Sequence, residues 1–376
     1  MSVNDSVPVR QPITPALIIE ESRMQRNINR MSEMAGLAGV KLRPHIKTHK
    51  MPEIAHLQLQ AGASGITAAK ISEAEIMARD GIDDIFIAYP IVTPSKLERA
   101  VRLASSISLI LGVDSLEGAS LLAELAEREG RRMNVRLEID TGMRRTGVTY
   151  DHAVDLASRI GQFRSLLLSG IYTYRGAILQ GAPTLDLAQA GAEEGRLMAE
   201  LAERMRSAGI PIEDVSVGST PTAAYAAQVP GVTEIRPGTY VFQDRMQDRF
   251  GVCKPEDWAV SVRVTVVSRP TPDLAIIDGG SKTFATDIQP HSEPLQLIGY
   301  GQVLELEDAV FERLSEEHGM LRLGPSAQAS GLRVGDILHV VPNHVCSTVN
   351  LHNQAIIRSD DGSLRSVPIP ARGMLE

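Results

Sequence analysis

The feature that most constrains this chain is a regular alternation of short apolar runs and helical stretches from residue 15 to about residue 240. Runs such as DIFIAY (84–89), SLILGV (108–113) and NVRLEID (134–140) have the length and the β-branched content of buried strands. Each run is followed by a stretch in which apolar residues have helical spacing. Repeated strand–helix units predict parallel strands covered by helices, and eight such units close a (β/α)8 TIM-type barrel.

The alternation contains nine candidate strands, from ALIIE (16–20) to TEIRPG (233–238), which is one more than an eight-stranded barrel holds. Either the first or the last of them is therefore expected to lie outside the barrel. Aromatic residues make up only 4% of the chain, so alanine, valine, isoleucine and leucine are expected to fill most of its core.

The pattern changes after about residue 250, where strand-like runs follow one another without helices between them. Turn sequences such as DGG and SDDG separate these runs, which is typical of antiparallel sheets. We therefore predict an α/β chain with two domains, a barrel over 15–248 and a mostly antiparallel β domain over 249–376 that includes part of 1–20. Residues 1–14 are expected to be flexible or to lie along the second domain. The strand-like runs are WAVSVRVTVVSR (258–269), LAIIDGG (274–280), GQVLELED (301–308), ILHVVPNHV (337–345) and NQAIIRS (353–359).

Charge and composition limit the classes of partner. The formal net charge of −8 argues against binding to nucleic acid or a general attraction to anionic membranes. The chain has no apolar stretch long enough to span a bilayer, and its polar N-terminus does not resemble a secretory signal. Only Cys253 and Cys346 are present, too few for a disulfide framework. These properties predict a cytoplasmic protein.

The segment RPHIKTHK (43–50) places Lys47 just after a candidate barrel strand, at the edge where the active sites of such barrels form. Arg43, His45, His49 and Lys50 flank this lysine in sequence. Cationic neighbours and partial burial lower the pKa of an amine and make its lone pair available for imine formation. A lysine on the barrel rim would fit the same pattern, and composition alone favours neither interpretation.

Two further segments could bind an aromatic cofactor. DTGMRRTGV (140–148) offers the guanidinium groups of Arg144 and Arg145 to an oxyanion, although solvated loop arginines are the alternative, more so for Arg144. YTYRG (172–176) presents Tyr174, which could stack on a ring or could equally be a packing tyrosine.

The segment VGSTPTA (217–223) joins a candidate strand to a helix, where backbone N–H groups and hydroxyls can bind an anion. Taken alone, the segment is more typical of an ordinary helix cap. RPGTYVF (236–242) could contribute to the same phosphate site. The candidate residues are Gly218, Ser219, Thr220, Gly238, Thr239 and Tyr240.

In PNHVCSTVNLH (342–352), His344 and Cys346 are two positions apart, so on an extended strand both would face the same side. Imidazole and thiolate together favour zinc, and two protein ligands leave positions open for water or substrate. By itself this spacing is more typical of a buried cysteine beside a hydrogen-bonded histidine.

In their order and spacing, the six motifs together resemble those of the D-threonine aldolase / D-serine dehydratase family, within the alanine-racemase-like enzymes that use pyridoxal 5'-phosphate (PLP). The resemblance covers about residues 12 to 373, and RPHIKTHK and the H-x-C segment are its most specific parts. It implies a PLP-binding barrel followed by a β domain, paired head to tail in a homodimer. It also implies that the first candidate strand leaves the barrel for the β domain.

The resemblance assigns roles to individual positions. Lys47 matches the Schiff-base lysine, Arg145 an arginine near the phenolic oxygen of PLP, and Tyr174 a position beside the pyridine ring. His344 and Cys346 match a pair that binds a divalent metal, for which zinc is expected, with manganese or magnesium as alternatives. The remaining matches form the phosphate cradle, which comprises Gly218, Ser219, Thr220, Gly238 and Tyr240.

The implied function is a lyase reaction on a small β-hydroxy D-amino acid. The H-x-C pair and VGSTPT resemble the dehydratases, which release a keto acid and ammonia, and we favour this activity. YTYRGAILQG is closer to the aldolases, which give glycine and an aldehyde, so aldol cleavage remains the alternative. In that case His45, His49 or a metal-bound hydroxide would act as the base.

Two further interpretations belong to other classes. An amino-acid racemase on the same fold needs a second acid–base residue, for which Tyr300 is the main candidate, and needs no metal. A PLP-binding protein without catalytic activity would require only the barrel, and the additional β domain with its H-x-C pair argues against it.

Overall fold

The computed structural model describes residues 7–376, which form two compact units. The barrel unit comprises residues 30–47, 52–238 and 374–376, and the sheet unit comprises residues 7–29, 48–51 and 239–373. The domain boundary predicted at 248/249 remains a proposal about folding units, because compactness does not test independent folding.

The barrel unit contains eight parallel strands, each paired with its neighbours in chain order. The last strand pairs with the first through Glu234 and Lys41. A parallel bridge between His45 and Thr67 joins the first and second strands, so the sheet closes into the predicted barrel. The strands are Lys41–Leu42, Ile66–Ala68, Asp84–Pro90, Ser108–Val113, Met133–Asp140, Leu166–Tyr172, Asp214–Val217 and Glu234–Ile235.

Helices cover the outside of the barrel because their apolar residues lie on one face, as Leu97, Ala100 and Val101 do in one of them. The helices in this part of the chain are Glu21–Ala38, Pro52–Gln60, Ile71–Arg79, Pro94–Leu103, Leu116–Arg128, Ala153–Ile160, Leu187–Ser207 and Ala223–Ala226, with short 3-10 turns at Ile46–Thr48 and Tyr150–His152. Short strand segments also occur at Val148–Thr149, Ile178–Leu179 and Ala182–Pro183.

Alanine, valine, isoleucine and leucine fill most of the core, as the composition predicts, but the interior of the barrel also holds charged side chains. The carboxylate of Glu234 is completely buried and accepts from Arg136 at 2.6 Å and from Arg43 at 2.8 Å. Burial alone would raise the pKa of Glu234, but these two guanidinium groups lower it to about 2. Asp84 also pairs with Arg43, at 2.6 Å. Arg43 is therefore paired with two carboxylates, the buried one of Glu234 and the partly exposed one of Asp84.

The sheet unit is mostly antiparallel, as predicted, with one parallel pair in its centre among the described strands. That pair joins Ala16–Glu20 to Gln354–Arg358, and Val260–Thr271 pairs antiparallel with the other edge of Ala16–Glu20. The first candidate strand therefore lies outside the barrel, as the resemblance implies. Val7–Pro8 pairs with Leu364–Pro368, so this part of the N-terminal segment lies along the sheet, while residues 1–6 fall outside the described chain.

The sequence misses several elements of this unit. The strands Ala309–Leu314, Gly319–Leu323 and Leu364–Pro368 are short and each contains one or two charged or polar residues, which weakens their apolar signal. Helices also interrupt the strands, in contrast to the prediction. The other elements are the strands Leu274–Ile277, Gly301–Val303 and Ile337–Pro342, the helices Arg245–Arg249, Pro325–Ala329 and Val345–Val349, and the 3-10 turns Thr239–Val241 and Pro255–Asp257.

Within residues 7–376, no helix combines the length and the apolar character that a membrane crossing requires.

Candidate functional site

Lys47 lies in the 3-10 turn Ile46–Thr48, which follows the first barrel strand. The turn is held by the backbone N–H of Lys47, which donates to Nδ1 of His45 at 3.4 Å. The amine Nζ of Lys47 lies 5.4 Å from the centre of the Tyr174 ring. The barrel therefore places a lysine amine beside an aromatic side chain at the carboxyl edge of its strands.

Arg145 approaches the same ring, with its guanidinium carbon 4.9 Å from the ring centre of Tyr174. The two residues that follow Arg145 in the loop are held by hydrogen bonds to acidic side chains. The Thr146 hydroxyl donates to Glu138 at 2.9 Å, and the Gly147 N–H donates to Asp114 at 3.2 Å. Lys47, Arg145 and Tyr174 were predicted from separate motifs, and the structure brings all three together.

Glu138 is a site residue that the sequence analysis misses. It lies on a buried barrel strand, where its carboxylate accepts from the Tyr172 hydroxyl at 2.9 Å. Burial raises the pKa of Glu138, against the lowering effects of Thr146, Tyr172 and the charge of Arg145. An acidic residue within the apolar run NVRLEID was the available signal.

The loop after Asp214–Val217 contains the predicted phosphate-binding residues Gly218, Ser219 and Thr220. Gly218 has a φ of +80°, and a Cβ at this position would lie 3.3 Å from Ala223 Cα, so the loop requires glycine here. The Ser219 hydroxyl lies 3.0 Å from that of Thr222, which also accepts the Ser219 N–H at 3.2 Å. Ser219 and Thr220 are nearly buried.

A second residue absent from the sequence prediction, Glu194, lies against this loop. Its carboxylate accepts from the Thr222 hydroxyl at 3.3 Å, and the N–H of Gly218 interacts with it as well. Glu194 occupies the buried face of the helix Leu187–Ser207. An acidic side chain at an apolar helix position was the signal that could have identified it.

The remaining predicted residues lie in different surroundings. His49 is completely buried in the sheet unit, where its Nδ1 accepts the Met51 N–H at 3.1 Å and its ring packs edge-on against Phe242. Thr239 and Tyr240 form a 3-10 turn of the sheet unit, and Gly238 ends the barrel unit. The acid–base roles of His45 and His49, and the cradle roles of these three residues, remain predictions.

His344 and Cys346 lie in the sheet unit, but not on a strand as the sequence predicts. The strand Ile337–Pro342 ends before His344, which instead caps the short helix Val345–Val349. The backbone turns here because the carboxylate of Asp244 accepts the first N–H of that helix at 3.0 Å. The prediction of an extended strand was therefore wrong at this point.

The two side chains nevertheless meet, because His344 and Cys346 share a hydrogen bond. The Nδ1 atom of His344 lies 2.6 Å from the carboxylate of Asp287. The sulfur of Cys346 lies 3.2 Å from the Thr48 hydroxyl and 3.5 Å from the Thr239 hydroxyl. Polar groups therefore surround the thiol in the sheet unit and orient the imidazole.

The electrostatics of this pair favour the charged forms of both partners. Burial lowers the pKa of His344, but Cys346, Asp287 and Asp244 together raise it well above its usual range. Burial raises the pKa of Cys346, yet His344 and the two threonine hydroxyls lower it overall. The thiolate, which is the metal-binding form of cysteine, is therefore stabilised.

These side chains suit a divalent cation in an open site. Asp287 holds Nδ1 of His344, which leaves the other ring nitrogen for coordination, an arrangement typical of metal-binding histidines. Among residues 7–376, no group of three histidine, cysteine or acidic side chains could enclose a metal. An open site with two protein ligands, completed by water or substrate, is compatible with these side chains.

The side chains of the barrel unit suit PLP. An amine, an aromatic ring and a guanidinium group lie together at one edge of the barrel, through Lys47, Tyr174 and Arg145. Glycine at position 218 lets the loop adopt a φ of +80°, and the hydroxyl groups of Ser219 and Thr220 that follow are of a kind that suits an anion.

Comparison with protein families finds two matches along the chain. Residues 19–246 match the model of the alanine racemase N-terminal domain, and residues 259–358 match the putative serine dehydratase domain. The D-threo-3-hydroxyaspartate dehydratase of Delftia sp. is 38% identical over 350 residues, covering 89% of this chain and 91% of that protein. The D-threonine aldolase of Arthrobacter sp. is 30% identical over 376 residues, covering 97% of this chain and 94% of the aldolase.

Solved structures give the same result for the fold. The structure of D-threo-3-hydroxyaspartate dehydratase from Delftia sp. HT23 matches with a TM-score of 0.88 and 36% identity, covering 95% of this chain and 97% of that one. The similarity therefore extends over both units rather than over one domain.

Proposed function

The chain belongs to the family that joins an alanine racemase N-terminal domain to a serine dehydratase domain, and we propose that it dehydrates a β-hydroxy D-amino acid. The relatives reported above are named a dehydratase and an aldolase, so both are lyases. The proposal includes PLP held on Lys47 and a divalent metal held by His344 and Cys346. Zinc is the expected metal, with manganese or magnesium as alternatives.

The observation that carries the proposal is the pairing of Cys346, whose sulfur lies 3.2 Å from the Thr48 hydroxyl, with a histidine oriented by Asp287. A metal at this pair would supply Lewis acidity toward a β-hydroxyl group. PLP would supply an electron sink for a bond broken at Cα. The roles of the chain's own residues follow from these two requirements.

Lys47 is the residue that would move protons. Its Nζ atom would hold the cofactor at rest and, once displaced by the substrate amine, would accept the Cα proton. Arg145 would orient the cofactor, and its loop is anchored by Thr146 and Gly147, so little reorganisation is required. Tyr174 would pack against the ring.

Residues of the sheet unit would tune the metal. Asp287 fixes the orientation and the tautomer of His344, and the hydroxyls of Thr48 and Thr239 lie where they would donate to the sulfur of a Cys346 thiolate. Loss of hydroxide and loss of the Cα proton would together release a keto acid and ammonia after hydrolysis.

Aldol cleavage is the second candidate, because one full-length relative is named an aldolase and YTYRGAILQG resembles that branch. In this reaction a base would remove the β-hydroxyl proton. His45, His49 and a metal-bound hydroxide are the candidates for that base, and the Cα–Cβ bond would break instead.

The deciding experiment supplies PLP, a divalent metal and D-threonine, and assays both product pairs in one reaction. We expect 2-oxobutanoate and ammonia, with D-threo-3-hydroxyaspartate tested in parallel because one relative is named for it. Glycine and acetaldehyde would establish aldol cleavage and overturn dehydration. L-allo-Threonine, the Cα epimer of D-threonine, as the sole product would instead indicate the racemase alternative, with Tyr300 as its candidate acid–base residue.

We further propose that the protein works as a head-to-tail homodimer and acts on free amino acids in the cytoplasm. The dimer proposal rests on the family resemblance, and sedimentation of the PLP-loaded protein tests it.

A further inference from the structure

A buried carboxylate lies beneath the candidate phosphate loop without a role in the proposed reaction. Glu194 is completely buried on the helix Leu187–Ser207. Two glycines on the same helix face allow this close approach, because a Cβ on Gly191 would lie 2.7 Å from the Thr222 carbonyl and one on Gly195 would lie 2.7 Å from Val229. The helix is therefore built to bring Glu194 against the loop.

A chain of hydroxyl groups leads from Glu194 to the loop. Oε2 of Glu194 lies 3.3 Å from the Thr222 hydroxyl, which lies 3.0 Å from the Ser219 hydroxyl. Oε1 of Glu194 receives no hydrogen bond of good geometry from the described residues, although the Gly218 N–H interacts with the carboxyl group. A buried carboxylate that is only partly satisfied is costly in its ionised form.

The charges around Glu194 do not compensate fully for burial. Burial raises the pKa of Glu194 to about 7, against the lowering effects of Arg236, the Gly218 N–H, Thr222 and Arg175. Arg236 and Arg175 are the charged groups that act on it. Nη2 of Arg175 pairs with the neighbouring Glu193 at 2.8 Å, and Arg236 donates to Ser216 and to the Thr173 carbonyl.

We propose that Glu194 is a positioning residue whose proton sets the direction of the Thr222–Ser219 hydroxyl chain and thereby the affinity of the loop for phosphate. This inference rests on the proposed function, in which the loop holds the phosphate of PLP. When Glu194 is ionised, Thr222 gives its only hydroxyl hydrogen to the carboxylate and can accept one from Ser219. Ser219 then presents lone pairs, and the carboxylate adds a negative charge beneath the loop.

When Glu194 is protonated, its own O–H donates to Thr222. The Thr222 hydroxyl hydrogen is then directed to Ser219, and the Ser219 hydroxyl hydrogen is available to a phosphate oxygen. A hydrogen bond to a charged phosphate is gained and a repulsion is removed. By linkage, a bound phosphate must in turn raise the pKa of Glu194, so affinity is greatest below about pH 7 and falls as pH rises.

The test compares PLP with pyridoxal, which lacks the phosphate, as ligands of the full-length protein. The ratio of their dissociation constants isolates the contribution of the phosphate, read from the absorbance of the lysine-bound aldehyde across neutral pH. In the wild type, we expect this preference for PLP to fall about tenfold with rising pH, roughly the value of one hydrogen bond to a charged group. The affinity for pyridoxal should not depend on the protonation state of Glu194, because pyridoxal has no phosphate.

Three variants sharpen the result. Glu194→Gln keeps a permanent donor toward Thr222, so its preference for PLP should stay high and lose this pH dependence. Thr222→Val interrupts the hydroxyl chain, so its preference for PLP should stay below that of the wild type at low pH and keep only the pH dependence caused by the charge of Glu194. Glu200→Gln makes the same chemical change at an exposed position of the same helix and should behave as the wild type.

Parallel pH profiles in the wild type and Glu194→Gln would overturn the inference, because the ionisation of PLP itself is common to both proteins. If no lysine-bound band forms with either aldehyde, the proposed function fails instead. The same four proteins are then compared for thermal stabilisation by inorganic phosphate. A wild-type pH dependence that Glu194→Gln lacks supports the hydroxyl chain, and identical profiles refute it.

Discussion

At the scale of single residues, Lys47 shares an aromatic ring with an arginine, whereas Lys70 also lies on an aromatic ring, that of Tyr89, but at a different place in the barrel unit. The amine of Lys47 lies 5.4 Å from the Tyr174 ring centre, and the guanidinium of Arg145 lies on the same ring at 4.9 Å. A solvent-exposed lysine on the barrel rim would not require both an aromatic side chain and an anchored arginine beside it. This geometry gives the proposed attachment of PLP a specific test.

Replacement of Lys47 by alanine should abolish the visible absorbance band of the PLP-loaded protein, because no other amine would take its place. Lys47→Arg retains the positive charge but not the nucleophilic amine, and should lose the band equally. Absorbance after reconstitution with PLP measures both variants, with circular dichroism as the check on folding. A band that persists in Lys47→Ala would assign the attachment to another lysine, with Lys50 as the nearest in sequence.

At the scale of elements, the strand Ala16–Glu20 shows what the sequence can and cannot decide. Its run ALIIE has the length and the apolar content of a buried barrel strand, and it precedes a helix as barrel strands do. Local pattern does not state which sheet a buried strand joins. The count of nine strands predicts that one is surplus, and only the family resemblance identifies it as this one.

In other elements too, the sequence predicts what depends on local pattern and misses what depends on distant residues. The strong periodic runs at Asp84–Pro90 and Ser108–Val113 were predicted almost to the residue, because their burial pattern is local in sequence. The turn that ends the strand before His344 was missed, since the carboxylate that caps it comes from Asp244, far away in the sequence. The sequence shows Glu194 as an acidic residue on an apolar helix face, but it does not reveal the contacts that Glu194 and Asp287 make with distant segments.

The position of Ala16–Glu20 in the middle of the sheet predicts a large effect of truncating one of its side chains. Ile18 is 1% exposed and lies opposite Ser261 on one side and Ile356 on the other. Ile18→Ala should lower the free energy of unfolding by about 2–5 kcal/mol, through lost burial and a cavity.

The matched control is Ile13→Ala, because Ile13 precedes the same strand but is 88% exposed. It should change stability by no more than about 0.5 kcal/mol. Urea denaturation followed by circular dichroism measures both variants. Equal midpoints for Ile18→Ala and the wild type would show that the strand does not contribute to the core of the sheet unit.

At the scale of the whole molecule, the proposed reaction uses chemistry from both units of the chain. Lys47 belongs to the barrel unit, and His344 and Cys346 belong to the sheet unit. The two functions should therefore be separable by experiment, since removal of a metal need not release PLP. This separation also distinguishes a lyase that depends on a metal from a racemase that does not.

Chelation of divalent metals should abolish product formation while the PLP absorbance band and the sedimentation of the protein stay unchanged. Cys346→Ala and His344→Ala should reproduce this behaviour without chelator, because each removes one of two protein ligands from an open site.

Asp287→Asn should be intermediate, with metal affinity weakened about 10- to 100-fold, since the carboxylate only orients His344. Added zinc or manganese should restore the chelated wild type and, at higher concentration, Asp287→Asn, but not the two alanine variants. Full turnover in Cys346→Ala would remove the metal pair from the mechanism. Turnover that survives chelation and yields the Cα epimer of the substrate would replace the lyase proposal with racemisation.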